Sequence, residues 1–120
     1  MHVSRSSAVP IEPMEMENFD GSARRRDLGA TDAPNCRALM VSFEPGARTH
    51  WHVHSEGQLI YGLDGHGHVG IRSGETVEIG PGDLVHAPPG EEHWHGASND
   101  QALTHLALSF GETSWLEAVE

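Results

Sequence analysis

The fold class this sequence predicts is all-β, in the form of a sandwich or barrel. Three observations carry it. About eight or nine short apolar runs recur at regular spacing, as in a many-stranded domain. The 14 Gly and 7 Pro that punctuate the chain supply the turns between them. Almost no stretch shows the 3.6-residue apolar period of a helix. At 120 residues the chain has material for one core rather than two.

Taken in order, residues 1–35 are polar and irregular, broken by Pro10, Pro13, Gly21, Gly29 and Pro34. They are expected to form an arm with one or two edge strands, open to exchange with a second copy, and Met14 to Phe19 is a candidate strand. The triplet Arg24-Arg25-Arg26 reads as a solvated loop. The barrel is expected over residues 36–112. Its strands are read at Arg37–Phe43, at Arg48–His54 with period two, at Gln58–Leu63, and at His66–Arg72 paired through Ser73-Gly74 to Glu75–Ile79. After the tight turn Gly80-Pro81-Gly82-Asp83 come Leu84–Ala87, His93–Ala97 and Gln101–Phe110. Residues 113–120 read as a short tail or a helical turn capped by Thr113 or Ser114.

Composition narrows the chemistry. Seven basic residues against 18 acidic ones give a net charge of −11. All seven are Arg, which excludes a Schiff-base lysine and a P-loop lysine. So acidic a chain is a poor nucleic-acid binder, because that affinity comes from many Lys and Arg contacts to phosphate. The single Cys36 excludes an internal disulfide, a thiolate zinc cluster and a Cys-ligated iron–sulfur centre. No apolar run approaches the ~18 residues of a membrane span, and nothing at the N-terminus reads as a secretory leader. The expected setting is therefore the cytoplasm.

What stands out is ten His in so small a chain, for which a metal is the first explanation. His50, His52 and His54 alternate, so in one continuous strand their imidazoles share a face while Trp51 and Val53 point away. Gln58 follows within reach if the chain turns at Ser55-Glu56-Gly57. His93 and His95 alternate again, with Trp94 turned away from them. His105 sits in the most apolar strand, where an unpartnered imidazole is costly. Neutral imidazole nitrogens and an amide oxygen on rigid strands suit a borderline divalent ion such as Mn, Fe, Zn or Ni. His2, His66, His68 and His86 read as tail or solvent-facing residues, and His50 as a rim residue.

The segment from Gly46 through His52, His54 and Gln58 to Gly65 resembles the first cupin motif. Gly82 through Pro88, Gly90 and His93 resembles the second. The two together cover about residues 44–97, and they identify the chain as a small single-domain cupin. The resemblance implies a double-stranded β-helix, or jelly roll, with a metal in the barrel mouth. Two departures stand out: Gln58 occupies the usual Glu position, and Ala97 replaces an expected Asn. Glu56 is an acidic alternative to Gln58, out of register for the ligand position. The phrases ARTHWHVHSEGQ, PPGEEHWHGA and THLAL are similar to a narrower bacterial subgroup that includes manganese-dependent hydroxynitrile lyases. That similarity implies His52, His54, Gln58 and His93 as metal ligands, and His95 and His105 as catalytic residues.

The expected function is therefore metal-dependent, lyase-type Lewis-acid chemistry on a small oxygenated organic substrate, with Mn favoured by resemblance. Alternatives are a dioxygenase, a polyketide cyclase, and a non-enzymatic ligand-binding cupin. For the last, ten His titrating near pH 6.5 would carry the charge from −11 to about −1. A homodimer or larger homo-oligomer is expected.

Overall fold

A computed structural model describes residues 1–29 and 33–120; the part of the arm at 30–32 lies outside the described residues. Thirteen strands follow one another among the described residues. They are β1 (Glu12–Pro13), β2 (Phe19–Asp20), β3 (Ala23–Asp27), β4 (Cys36–Phe43), β5 (Arg48–Thr49), β6 (His52–His54) and β7 (Gln58–Gly65), then β8 (Gly67–Ile71), β9 (Thr76–Ile79), β10 (Leu84–Ala87), β11 (His93–Ala97), β12 (Leu103–Phe110) and β13 (Thr113–Trp115). Short 3-10 turns at Ser6–Ala8 and Met16–Asn18 are the helical elements among the described residues. None is long and apolar enough to cross a membrane.

The strands make two antiparallel sheets. The first runs β1-β3-β4-β12-β7-β10. In the second, β11 is central. On one side it pairs with β6 at His93–His52 and with β5 at Gly96–Arg48. On its other side lies β8, followed by β9. β13 and β2 close the outer edge along β6 and β5. Alternation along each strand turns one set of side chains inward. Phe43, Ile60, Ile79 and Leu103 are thereby buried in the core, joined by Val41, Val69 and Phe19. Each such side chain contributes about 1.5–3 kcal/mol by leaving water.

The structure departs from the sequence reading in four places. Met14 to Phe19 is not one strand. Met16–Asn18 form a 3-10 turn in which the Asn18 amide bonds the Glu15 carbonyl, and of this run Phe19 alone belongs to a strand, β2. The Arg triplet is not a loop but the middle of β3, paired to β4 from Ala23–Phe43 to Asp27–Leu39. Arg26 turns to the N-terminal segment, where its Nη1 donates to the Ser6 and Val9 carbonyls at 2.8 Å each. The long strand expected at 48–54 is broken at His50-Trp51, because the His50 amide bonds Asn18 and the Trp51 amide bonds Glu117. Finally, residues 113–115 form neither tail nor helical turn but β13, which pairs with β6 from Thr113–His54 to Trp115–His52.

The turn between β6 and β7 depends on Gly57. Its φ of +93° lies where L side chains are strained, and an added Cβ would meet the Ala87 carbonyl oxygen at 2.9 Å. Gly57→Ala is expected to cost about 1–3 kcal/mol. Chemical denaturation measures this as a lower midpoint at unchanged slope.

Candidate metal centre

Five imidazoles are buried between the sheets: His52 and His54 on β6, His93 and His95 on β11, and His105 on β12. Period-two alternation turns each pair inward. The register then sets His52 directly opposite His93, with ring centroids 4.4 Å apart. His54 lies 5.1 Å from the His52 ring and 5.6 Å from that of His93. His105 reaches the same interior by the unbroken alternation of β12, where Leu103, His105 and Ala107 all turn inward. Opposite it, β7 carries an extra residue, Leu63, so that His105 faces Gly62.

Hydrogen bonds decide which nitrogen each ring presents. His52 Nδ1 donates to the His50 carbonyl at 3.0 Å, and His93 Nδ1 donates to the Glu91 carbonyl at 3.0 Å. A carbonyl only accepts, so each neutral ring carries its proton on Nδ1 and keeps a lone pair on Nε2. His54 Nδ1 is engaged by Thr113 Oγ1 at 2.8 Å, and its Nε2 is buried without a partner. The Gln58 amide nitrogen donates to Ser109 Oγ at 2.9 Å. Its Oε1 lies 2.8 Å from His93 Nε2. With the His93 proton on Nδ1, these are two lone-pair atoms in contact, which is a repulsive arrangement unless a cation lies between or beside them. Ligating imidazoles with the other ring nitrogen hydrogen-bonded are the usual construction of a metal site. The residues present therefore fit a divalent ion, which His52, His54, His93 and Gln58 could hold.

The tightest group of potential ligand atoms among the described residues is nevertheless His52, His93 and His95, all within 4.8 Å of one another. His95 is bound differently from the others. Its Nδ1 lies 2.9 Å from His105 Nε2, and the outer nitrogens of the pair, His95 Nε2 and His105 Nδ1, are buried without partners. One proton shared along that contact leaves one outer nitrogen as an acceptor. Burial is the main force holding all five rings below their ordinary pKa. His54 and His105 are lowered to about 4, and His52 and His95 are pushed well below the usual range, with neighbouring imidazoles adding to the shift. All five are therefore neutral at pH 7, as ligands and bases must be.

His52, His54, Gln58 and His95 line a cavity of ≈ 670 Å³, together with apolar Val41, Ala107, Phe19 and Trp115. His93 and His105 do not line it but stand against the rings that do, His93 on His52 and His105 on His95. Glu56 is instead exposed on the turn. His50 lies outside the cluster, 3.4 Å from Asp20. Trp94 points away, beneath Arg48 at 5.4 Å. Thr113 and Ser109, which orient His54 and Gln58, carry no sequence signal: each lies more than 50 residues from its partner and meets it through register alone.

The geometry has close parallels among known proteins. The (R)-mandelonitrile lyase of Granulicella tundricola is 42% identical over 106 residues, spanning 84% of this chain and 81% of that protein. A cupin-like protein from Thermotoga maritima shares 36% identity, with a TM-score of 0.85 over 90% of this chain and 86% of its own. The polyketide cyclase RemF from Streptomyces resistomycificus has the same fold, with a TM-score of 0.81 at 24% identity, covering all of this chain and 86% of that one. Residues 39–109, from β4 to the end of β12 and enclosing all five buried imidazoles, match the family model of the cupin domain. Two antiparallel sheets closed over a histidine cluster, with motif and relatives in agreement, make this chain a member of the cupin family.

Proposed function

We propose that this chain is a metal-dependent lyase of hydroxynitrile-lyase type, which cleaves or forms cyanohydrins of small oxygenated compounds. The observation that carries this reading is the sorting of the buried imidazoles. His52, His54 and His93 have Nδ1 engaged, with His54 Nε2 unpartnered and His93 Nε2 against Gln58 Oε1, whereas His95 and His105 bond each other. The first group, with Gln58, forms the ligand set, and the second moves protons. A bound divalent ion, Mn by resemblance, keeps its full charge among four neutral ligands and supplies Lewis-acid polarisation of a substrate oxygen.

The remaining work falls to the chain itself. His95 Nε2 is buried and unpartnered, and His95 belongs with His52 and His93 to a group whose ligand atoms lie within 4.8 Å of one another. It takes the proton of the cyanohydrin hydroxyl as the carbon–cyanide bond breaks and the carbonyl forms. His105, in contact through His95 Nδ1, holds the pair in a defined tautomer and absorbs the added charge. The same proton is returned to the departing cyanide, so that aldehyde and hydrogen cyanide leave. Buried Val41 lines the cavity on its apolar side, and Trp115 packs against the His52 ring. The similarity to a mandelonitrile lyase at 42% identity supports this reaction over the oxygenase and cyclase readings. Exposed Tyr61 and Leu84, opposite one another on β7 and β10, support association of two copies through the outer face of the first sheet.

Three outcomes are expected. His52→Ala or His54→Ala loses bound metal, measured by plasma mass spectrometry against total protein; full retention in both contradicts the ligand set. His105→Gln retains metal but lowers kcat for mandelonitrile cleavage by about 10²–10⁴-fold, read in single-turnover assays. Stability of the metal-stripped protein is present in full above pH 6.5 and falls as pH drops from there towards 4. The unfolded chain binds its proton near 6.5 and the folded His105 only near 4. Thermal melts monitored by circular dichroism across that window check the sign, and His105→Gln is expected to flatten the decline.

A further inference from the structure

The cavity joins two different chemistries. The imidazoles and Gln58 stand on β6, β7 and β11, while Arg25 enters from β3 and Glu15 from the arm. Arg25 faces Val41 in register, and Val41 faces His105, so the three side chains form one inward row. Two strand spacings separate the Arg25 and His105 backbones, about 10 Å. Between them the wall is apolar, made by Val41, Ala107 and Phe19.

Arg25 is the middle member of the triplet that composition alone assigned to a loop. Its neighbours Arg24 and Arg26 turn to the outer face, where Arg24 meets Glu44 and Arg26 pins the N-terminal segment. Arg25 alone is directed into the cavity, and most of its side chain is buried. Both of its hydrogen bonds come from Nη1, at 2.7 Å to Glu15 Oε1 and 3.8 Å to Met14 Sδ. A guanidinium carries five N–H groups. Of the other three, the Nε–H is fully buried and has no partner among the described residues. An unpaired buried donor beside a cavity is costly until something in the cavity accepts from it. Glu15 already neutralises the guanidinium charge, and the exposed Arg37 is matched by Asp27. What remains unsatisfied is therefore donor capacity rather than charge.

We propose that Arg25 is a specificity-determining residue, and that the substrates are bifunctional: a reacting hydroxyl or carbonyl at the histidine end, a short apolar or aryl body, and an uncharged oxygen acceptor held by Arg25. This rests on the cyanohydrin reading for the identity of the reacting end only. A carboxylate is disfavoured at the far end because Glu15 stands beside it.

The test compares paired probes, so that their intrinsic reactivities cancel between protein variants. In metal-loaded protein, kcat/KM is measured for 4-methoxymandelonitrile and 4-methylmandelonitrile. Binding of 4-methoxybenzyl, 4-methylbenzyl and 4-carboxybenzyl alcohol is measured separately by calorimetry. The wild type is expected to prefer the methoxy member in both arms. Arg25→Met is expected to reduce that preference by about tenfold, the size of a hydrogen bond to a charged donor. Arg25→Lys is expected to keep part of it, which guards against a folding defect in the Met variant. Arg24→Gln, on the outer face, should leave the preference intact. Equal binding of the methoxy and methyl alcohols by the wild type overturns the proposal, as does a preference that survives Arg25→Met. Tighter binding of the carboxylate overturns the uncharged-acceptor assignment. If no cyanohydrin is turned over but the binding preference exists and is lost in Arg25→Met, the reaction reading fails while the assignment of Arg25 stands.

Discussion

Burying five imidazoles between two sheets is the constraint on which the rest of this molecule depends. A charged imidazole in that interior would have no buried carboxylate to compensate it among the described residues, whose buried polar groups are His52, His54, His93, His95, His105, Thr49 and Gln58. The rings are therefore held neutral, and a neutral imidazole has one donor and one acceptor to place. Two backbone carbonyls, one hydroxyl and one imidazole-to-imidazole contact accomplish this. The nitrogens left over define the chemistry. The same desolvation that lowers the pKa values makes the rings usable as ligands and bases at neutral pH.

Other features serve that arrangement. The break at His50-Trp51 lets β5 and β6 share one side of β11, and it frees the His50 carbonyl to bond His52. β13 brings Thr113 against His54 and Trp115 against the His52 ring at 4.7 Å. The C-terminal segment is held in turn by Arg72, which stacks on Trp51 at 4.0 Å and bonds Glu117 at 2.9 Å. These contacts are exposed and individually weak, but they lie over a segment already fixed by backbone bonds between Trp51 and residues 116–117. The arm completes the cavity with Phe19, Met14 and Glu15. What composition reads as a polar, irregular arm thus supplies part of one wall of the site.

The all-β fold was legible in the chain because turn residues and period-two alternation are local signals. The strands at Leu84–Ala87 and His93–Ala97 coincide with β10 and β11 residue for residue. Elements whose stability comes from a distant partner were harder to read. β3 is three arginines between two single residues, a poor strand by propensity that exists because β4 offers it a free edge. β13 is three residues long and has meaning only against β6. Met14 to Phe19 alternates without forming one strand, because alternation needs a core to face and Met16 has none.

By itself, the sequence determined which donors face one interior: His52 with His54, His93 with His95, and Gln58 one turn later, since side-chain direction in a strand follows from spacing alone. Only the tertiary structure decided how each donor is used. The partner of His54, the orientation of the Gln58 amide by Ser109, the contact of His95 with His105, and the entry of Arg25 into the cavity all arise from strand register. Register pairs residues far apart in the chain, such as His54 with Thr113 and Gln58 with Ser109. Hydrogen bonds of that kind have no local pattern, because their partners are chosen by the packing of whole sheets.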